Sequence, residues 1–192
     1  MNEERDLSNR MRAITISREY GSGGGEIASH LAKRLGWDVI DHAIVERTAR
    51  ILGTSIQEAE AHDESTGGII SQLLNVMQNL YPAPMVSAPP EAFLSTEDYW
   101  RTVDRIVRAA AARGDVVIVG RASQVILADL HDVLHVRIIA PFEKRVATVM
   151  QREGVDCHTA TSRNHRKDHE RASYLEREYI TTQTMRICTT SS

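Results

Sequence analysis

Residues 14–27 read Ile-Thr-Ile-Ser-Arg-Glu-Tyr-Gly-Ser-Gly-Gly-Gly-Glu-Ile, an apolar run that passes through clustered glycines into an amphipathic stretch. Glycine admits backbone conformations closed to other residues and lets N–H groups approach a ligand closely. At the positive end of a helix, such N–H groups make an anion site. The expected order is a strand, a loop of Gly21, Ser22, Gly23, Gly24 and Gly25, and a helix whose first turn carries Glu26. That is the arrangement of a phosphate-binding loop. The competing reading is a ligand-free turn, which rarely needs so many glycines. The Lys and Ser/Thr that complete the usual G-x-x-x-x-G-K-[ST] pattern are absent.

Around the loop, strand and helix patterns alternate. Residues 13–16 suit a buried first strand. In residues 24–35, Ile27, Leu31 and Leu35 recur every four positions, which predicts a helix packed on the sheet through that face. Gly36 stands where a left-handed residue closes a helix. Residues 37–40 read as a second strand with Asp41 at its carboxyl end, and 43–52 as a second helix. Residues 58–64 are acidic, 69–80 suit a helix, and 81–90 hold four of the five prolines and read as a loop. Val103, Ile106, Val107 and Ala110 give helical periodicity to 96–113. Residues 116–119 form a continuous apolar run, typical of a parallel strand covered on both faces.

Gly120-Arg121-Ala122 ends that strand. A short helix to about 129, a strand at 133–139 and a helix from Pro141 to 153 follow. The polar residues 154–163 read as a loop and 164–179 as a charged helix. The alternation predicts an α/β fold, a parallel sheet with helices on both faces. Ligands of such sheets bind at the carboxyl ends of the strands.

At 192 residues, the chain suits one domain that can carry a mobile subdomain. Residues 1–12 are polar, lack the apolar core of a signal peptide and read as a disordered lead-in. No apolar run approaches the roughly 20 residues that span a bilayer, so no membrane partner is expected. The net charge of −3 gives no reason to expect nucleic acid as a partner. Basic side chains instead gather between Arg145 and Arg177, where a local anion site can form. Cys157 and Cys188 have no metal spacing, and a reduced, cytoplasmic setting is the simplest reading. Oligomeric state has no signal in the sequence.

With these pieces in order, the chain resembles the cytidylate-kinase-like proteins, a branch of the P-loop nucleoside monophosphate kinases. The matching residues are those from Ile14 to Gly24, Val39-Ile-Asp41, Val117-Ile-Val-Gly-Arg121, Ala140-Pro-Phe-Glu-Lys-Arg145 and Lys167-Asp-His-Glu-Arg171-Ala-Ser-Tyr174. Together they cover about residues 13–179. The resemblance implies a P-loop kinase fold over residues 13–180, with an acceptor-binding insertion at 54–96 and a helical lid at 152–168. It also implies ATP and Mg²⁺ as cofactors and phosphoryl transfer to a nucleoside monophosphate. Against an ordinary cytidylate kinase loop, Gly24 falls where the lysine belongs and Glu26 where the Mg²⁺-binding Ser/Thr belongs. Residues 181–192 form a polar tail where the family places a further strand and helix. The fifth strand is therefore expected to be missing, which leaves residues 133–139 at a sheet edge.

Each candidate site residue has two readings. Arg18 is the best local replacement for the lost lysine; otherwise it is a surface residue. Glu26 is either a ligand-side carboxylate or a favourable charge at a helix N-terminus. Asp41 either faces the acceptor or caps the next helix. His42 departs from the Arg or Lys common in this branch and, at a free pKa near 6.5, would hold an acceptor phosphate weakly. Arg121 follows a buried strand and, by resemblance, grips the acceptor phosphate. Arg152, Arg163 and Arg171 are the lid arginines expected to stabilise the transferring group, with Asp168 orienting Arg171. Their competing reading is a solvated helix face laced with salt bridges. His158, His165 and His169 come without a carboxylate or cysteine pattern, so no protein-held metal is expected. A nucleotide-binding sensor or scaffold without phosphoryl transfer is the alternative to an enzyme, and a fragment that folds with a partner is a third reading.

Overall fold

The computed structural model describes residues 11–53, 68–80 and 96–189. The expectations for the acidic stretch at 58–64 and the loop at 81–90, with most of the insertion at 54–96, lie outside the described residues. Strand β1 (Ala13–Arg18) leads into helix α1 (Gly24–Leu35), then β2 (Asp38–Ile40) and α2 (His42–Gly53). Helices α3 (Ile69–Leu80) and α4 (Thr96–Arg113) precede β3 (Val116–Val119), the short α5 (Ser123–Ile126) and β4 (Val133–Ile138). Helices α6 (Phe142–Glu153) and α7 (Cys157–Thr189) complete the described chain. The strands pair in parallel in the order β2-β3-β1-β4. Among the described residues, β4 is therefore an edge.

Alternation within the strands divides the core. Val116 and Ile118 face α4, whose Val103, Ile106, Val107 and Ala110 are fully buried, with Leu73 and Met77 of α3 behind them. Ile14, Ile16, Val117 and Val119 face the opposite layer, where α1 packs. That division explains why residues 116–119 are apolar without interruption. Each such side chain contributes about 1.5–3 kcal/mol of burial, so this sheet, rather than any one helix, anchors the fold.

The face by which α1 packs differs from expectation. Gly24, Ala28 and Ala32 are its buried residues, with Leu31 and Leu35 flanking, whereas Ile27 is 48% exposed. Small residues let the helix backbone approach the sheet closely, and the apolar spacing alone missed this. Gly36 does close α1, at φ 72°, with its N–H donating to the Ala32 carbonyl.

The expected loop at 154–163 is corrected as well. Only the turn at Gly154 separates α6 from the start of α7, and residues 157–163 are helical. Asp156 Oδ1 accepts the Thr159 N–H at 2.7 Å, and this cap starts α7. Helix α7 continues past residue 180, so the polar tail is helical through Thr189. Among the described residues, no helix is long and apolar enough to cross a membrane.

Candidate functional site

The carboxyl ends of β1, β3 and β4 open into a cleft of about 430 Å³, covered by the middle of α7. Arg18, Arg121 and Arg171 line it, with His42, Lys167 and Asp168. Every one of these side chains comes from a strand end, from the first turn of α2, or from α7. The sheet thus fixes the floor of the site, and the helical hairpin of α6 and α7 supplies its cover.

The glycine loop turns at Gly21 and Gly23, at φ 74° and 76°. A Cβ on Gly21 would come within 2.7 Å of the Arg145 carbonyl oxygen, so this glycine also lets the loop lie against α6. Around Gly23 and Gly25 a Cβ would meet nothing within 4 Å. The N-terminus of α1 carries no side-chain cap. Ser22 is committed to its own turn, its hydroxyl donating to the Glu19 carbonyl at 2.8 Å. Glu26 sits in the first turn of α1 and is exposed.

Arg18 runs through a slot between two glycines. A Cβ on Gly24 would stand 2.7 Å from the Arg18 Cβ, and one on Gly120 would stand 2.6 Å from Arg18 Nη1. Gly24, the residue at the lysine position, thus makes room for the arginine stem. Burial, and then the neighbouring charge of Arg171, lowers the pKa of Arg18, with Asp41 opposing. Burial also lowers that of Arg171. Arg171 Nη1 donates to the Arg18 carbonyl at 3.0 Å, and its guanidinium lies 5.5 Å from the Tyr20 ring centroid. Among the described residues, neither Arg18 nor Arg171 has a carboxylate in direct contact.

Arg121, Arg152 and Arg163 are paired. Arg121, with φ 54°, is buried; its Nη2 donates to Glu46 Oε1 at 2.7 Å and its Nη1 to the Tyr174 hydroxyl at 3.4 Å. Burial works against its charge, but Tyr174, Tyr99 and Glu46 outweigh that and raise its pKa. Arg152 and Arg163 both donate to Glu153, at 2.7 and 2.6 Å, and neither lines the cleft. Hydrogen bonds from Arg152, Tyr20 and Arg163 hold the Glu153 carboxyl down at about 2.

Asp41 Oδ1 accepts the N–H groups of Ala43 and Ile44 at 3.0 and 3.1 Å, which makes it the cap of α2. His42 lies 3.5 Å from Glu46 Oε1. Burial and Arg121 lower its pKa, so it is largely neutral at pH 7. Asp168 spends its hydrogen bonds on the Tyr20 N–H, at 2.8 Å, and on Arg145, and acts on Arg171 through its charge. Arg145 is buried where β4, the glycine loop and α7 meet, with its Nε donating to the Ala140 carbonyl at 3.2 Å.

Sequence reasoning missed Glu46, Glu153 and Tyr20 as the groups that arrange the arginines. Tyr20 stood inside a quoted motif, but nothing in the spacing marks the other two.

The chain matches the model of the cytidylate kinase-like family over residues 13–186. No curated protein matches it. Among solved structures, an uncharacterized protein from Eubacterium ventriosum ATCC 27560 aligns at a TM-score of 0.55 with 21% identity, over 85% of this chain and 75% of that one. TT1252 from Thermus thermophilus aligns at a TM-score of 0.37 with 16% identity, over 95% of this chain and 99% of that one. The first of these likenesses speaks to the fold alone.

Proposed function

The chain belongs to the cytidylate kinase-like family, and from that premise we propose that it transfers the terminal phosphoryl group of ATP to a nucleoside monophosphate. The observation that carries this reading is the pair Arg18 and Arg171. Two neighbouring cations line the cleft without a carboxylate contact among the described residues, and burial lowers the pKa of both. Two like charges kept together in a partly dry site favour an anion between or beside them. The triphosphate of ATP fits that demand, and the open ground around Gly23 and Gly25 at the α1 N-terminus gives its phosphates room.

Mg²⁺ neutralises phosphate charge when bound. Among the described residues, no group of three His, Cys, Asp or Glu side chains gathers as a metal cage. Mg²⁺ takes one or two carboxylates and completes its shell with phosphate and water. Glu26, in the first turn of α1, and Asp41, the cap of α2, are the carboxylates proposed to serve it, beside Glu19, Asp168 and Glu170, which line the cleft.

In this reading Arg18 replaces the missing lysine, directing planar donors at the phosphates from the slot between Gly24 and Gly120. Arg171 stabilises the oxygens of the transferring group. Arg121 holds the acceptor phosphate by exchanging Glu46 for it, and residues 54–96 contribute acceptor recognition. Arg152 and Arg163 reach the nucleotide when the lid at 152–168 frees them from Glu153. Catalysis proceeds by positioning and charge neutralisation, as phosphoryl transfer allows. Nucleotides in the cytoplasm are the proposed partners, with neither nucleic acid nor membrane.

A second reading, a nucleotide-binding sensor or scaffold, is favoured by the engagement of Arg121, Arg152 and Arg163 with carboxylates. An ADP-release assay with ATP·Mg²⁺ against CMP, dCMP, UMP, AMP and GMP separates the two. Release stimulated by one acceptor is expected. Folded, ATP-binding protein that no acceptor stimulates would favour the sensor.

A further inference from the structure

Arg145, Arg121, Arg152 and Arg163 each have a carboxylate partner. Arg171 is held differently. Its Nη1 donates to the Arg18 carbonyl at 3.0 Å, and its guanidinium carbon lies 5.5 Å from the centroid of the Tyr20 ring. A carbonyl and an aromatic face fix a guanidinium in place without cancelling its charge, as a carboxylate would.

Tyr20 is itself held at each of its polar groups. Its N–H donates to Asp168 Oδ1 at 2.8 Å, and its carbonyl accepts from Arg145 Nη1 at 3.3 Å. Its hydroxyl donates to Glu153. The ring packs among Val146, Val149 and Ala160 at the junction of α6 and α7, and Arg152 lies 5.3 Å from its centroid. One residue before the first loop glycine, the ring cannot turn away without breaking contacts to both helices.

We propose that Tyr20 is the positioning residue of Arg171, aiming that cation into the cleft with its charge left available to a phosphate group. The proposal rests on the reading that the cleft takes phosphates, and it adds a role for a residue that touches no substrate. Glu153 then acts one step further out, by fixing the Tyr20 ring through its hydroxyl.

The test is titration calorimetry of the full chain with inorganic tripolyphosphate, as a double-mutant cycle between positions 20 and 171. Tyr20→Phe keeps the ring and should bind within about threefold of the unaltered protein, the scale of one lost hydrogen bond. Tyr20→Leu removes the ring and should weaken binding about five- to thirtyfold, the range of a partly desolvated cation–π contact. In an Arg171→Ala background the same Tyr20→Leu change should weaken binding no further. Should Tyr20→Leu fail to fold, pentafluorophenylalanine at position 20 reverses the ring's charge distribution at nearly constant shape, and it should bind more weakly than Tyr20→Phe.

Equal weakening by Tyr20→Leu in both backgrounds, or equal binding by the phenylalanine and its fluorinated analogue, would overturn the role of Tyr20 while leaving the phosphate site standing. Failure of the unaltered protein to bind tripolyphosphate would overturn the site, and this proposal with it.

Discussion

An arginine is charged at any working pH, so its role follows from where its charge is spent. Arg121, Arg152 and Arg163 spend theirs on Glu46 and Glu153, whereas Arg18 and Arg171 keep theirs for the cleft. Glu153 gives this sorting a measurable sign. Its folded pKa is about 2 against an ordinary 4.5, so the contribution of its hydrogen bonds is fully present above about pH 4.5 and is lost as pH falls through 2. Glu153→Gln should therefore lower Tm at pH 7, with the difference from the unaltered protein shrinking steadily between pH 4.5 and 2. A constant difference across that range, read by thermal melts, would show that Glu153 does not carry its charge into these contacts. At this scale the sequence was partly legible: the strand ends pointed to Arg18 and Arg121, and both side chains line the cleft. Glu153 adjoins Arg152 in the chain, but it lies 10 residues from Arg163, and Glu46 comes to Arg121 from another element. Only folding brings them together.

Elements were legible where burial is periodic. Helix α4 follows its apolar spacing, and β3 its continuous run, because each faces a layer that must be apolar. Helix α7 was half missed because its opening is polar and buries little beyond Ala160 and Asn164, whose Nδ2 donates to the Ala160 carbonyl at 2.9 Å. The readable signal there was Asp156 as an N-cap. For α1, small residues rather than large ones face the sheet, a choice that apolar periodicity weights wrongly. The expected exposed strand is β4, where Leu134 is 46% exposed and the adjoining Ile139 67%. An uncovered apolar edge invites pairing between chains, and lysine on such an edge opposes it. Leu134→Lys should raise the concentration at which light scattering detects association. Because it changes a surface position, its stability should stay within about 0.5 kcal/mol. Association unchanged by the lysine would mean that the edge is not what limits solubility.

At the scale of the whole molecule, the four parallel strands gather Arg18, Asp41 and Arg121 at one edge, and α6 with α7 lays Asp168 and Arg171 across it. The order of strands and helices in the sequence predicts that gathering at the carboxyl ends of the strands. The slot that Gly24 and Gly120 form for Arg18 joins the end of β1 and the start of α1 to the residue after β3, and no local pattern encodes it. The central claim is that this slot lets an arginine do what a loop lysine does elsewhere. It is tested most directly by ADP release from Arg18→Ala and from the unaltered protein, at saturating ATP·Mg²⁺ and with the acceptor that stimulates turnover. A fall in kcat of about 10²–10³, the usual consequence of removing one positioned donor, at unchanged Tm is the expected result. Equal turnover by the two proteins would contradict it.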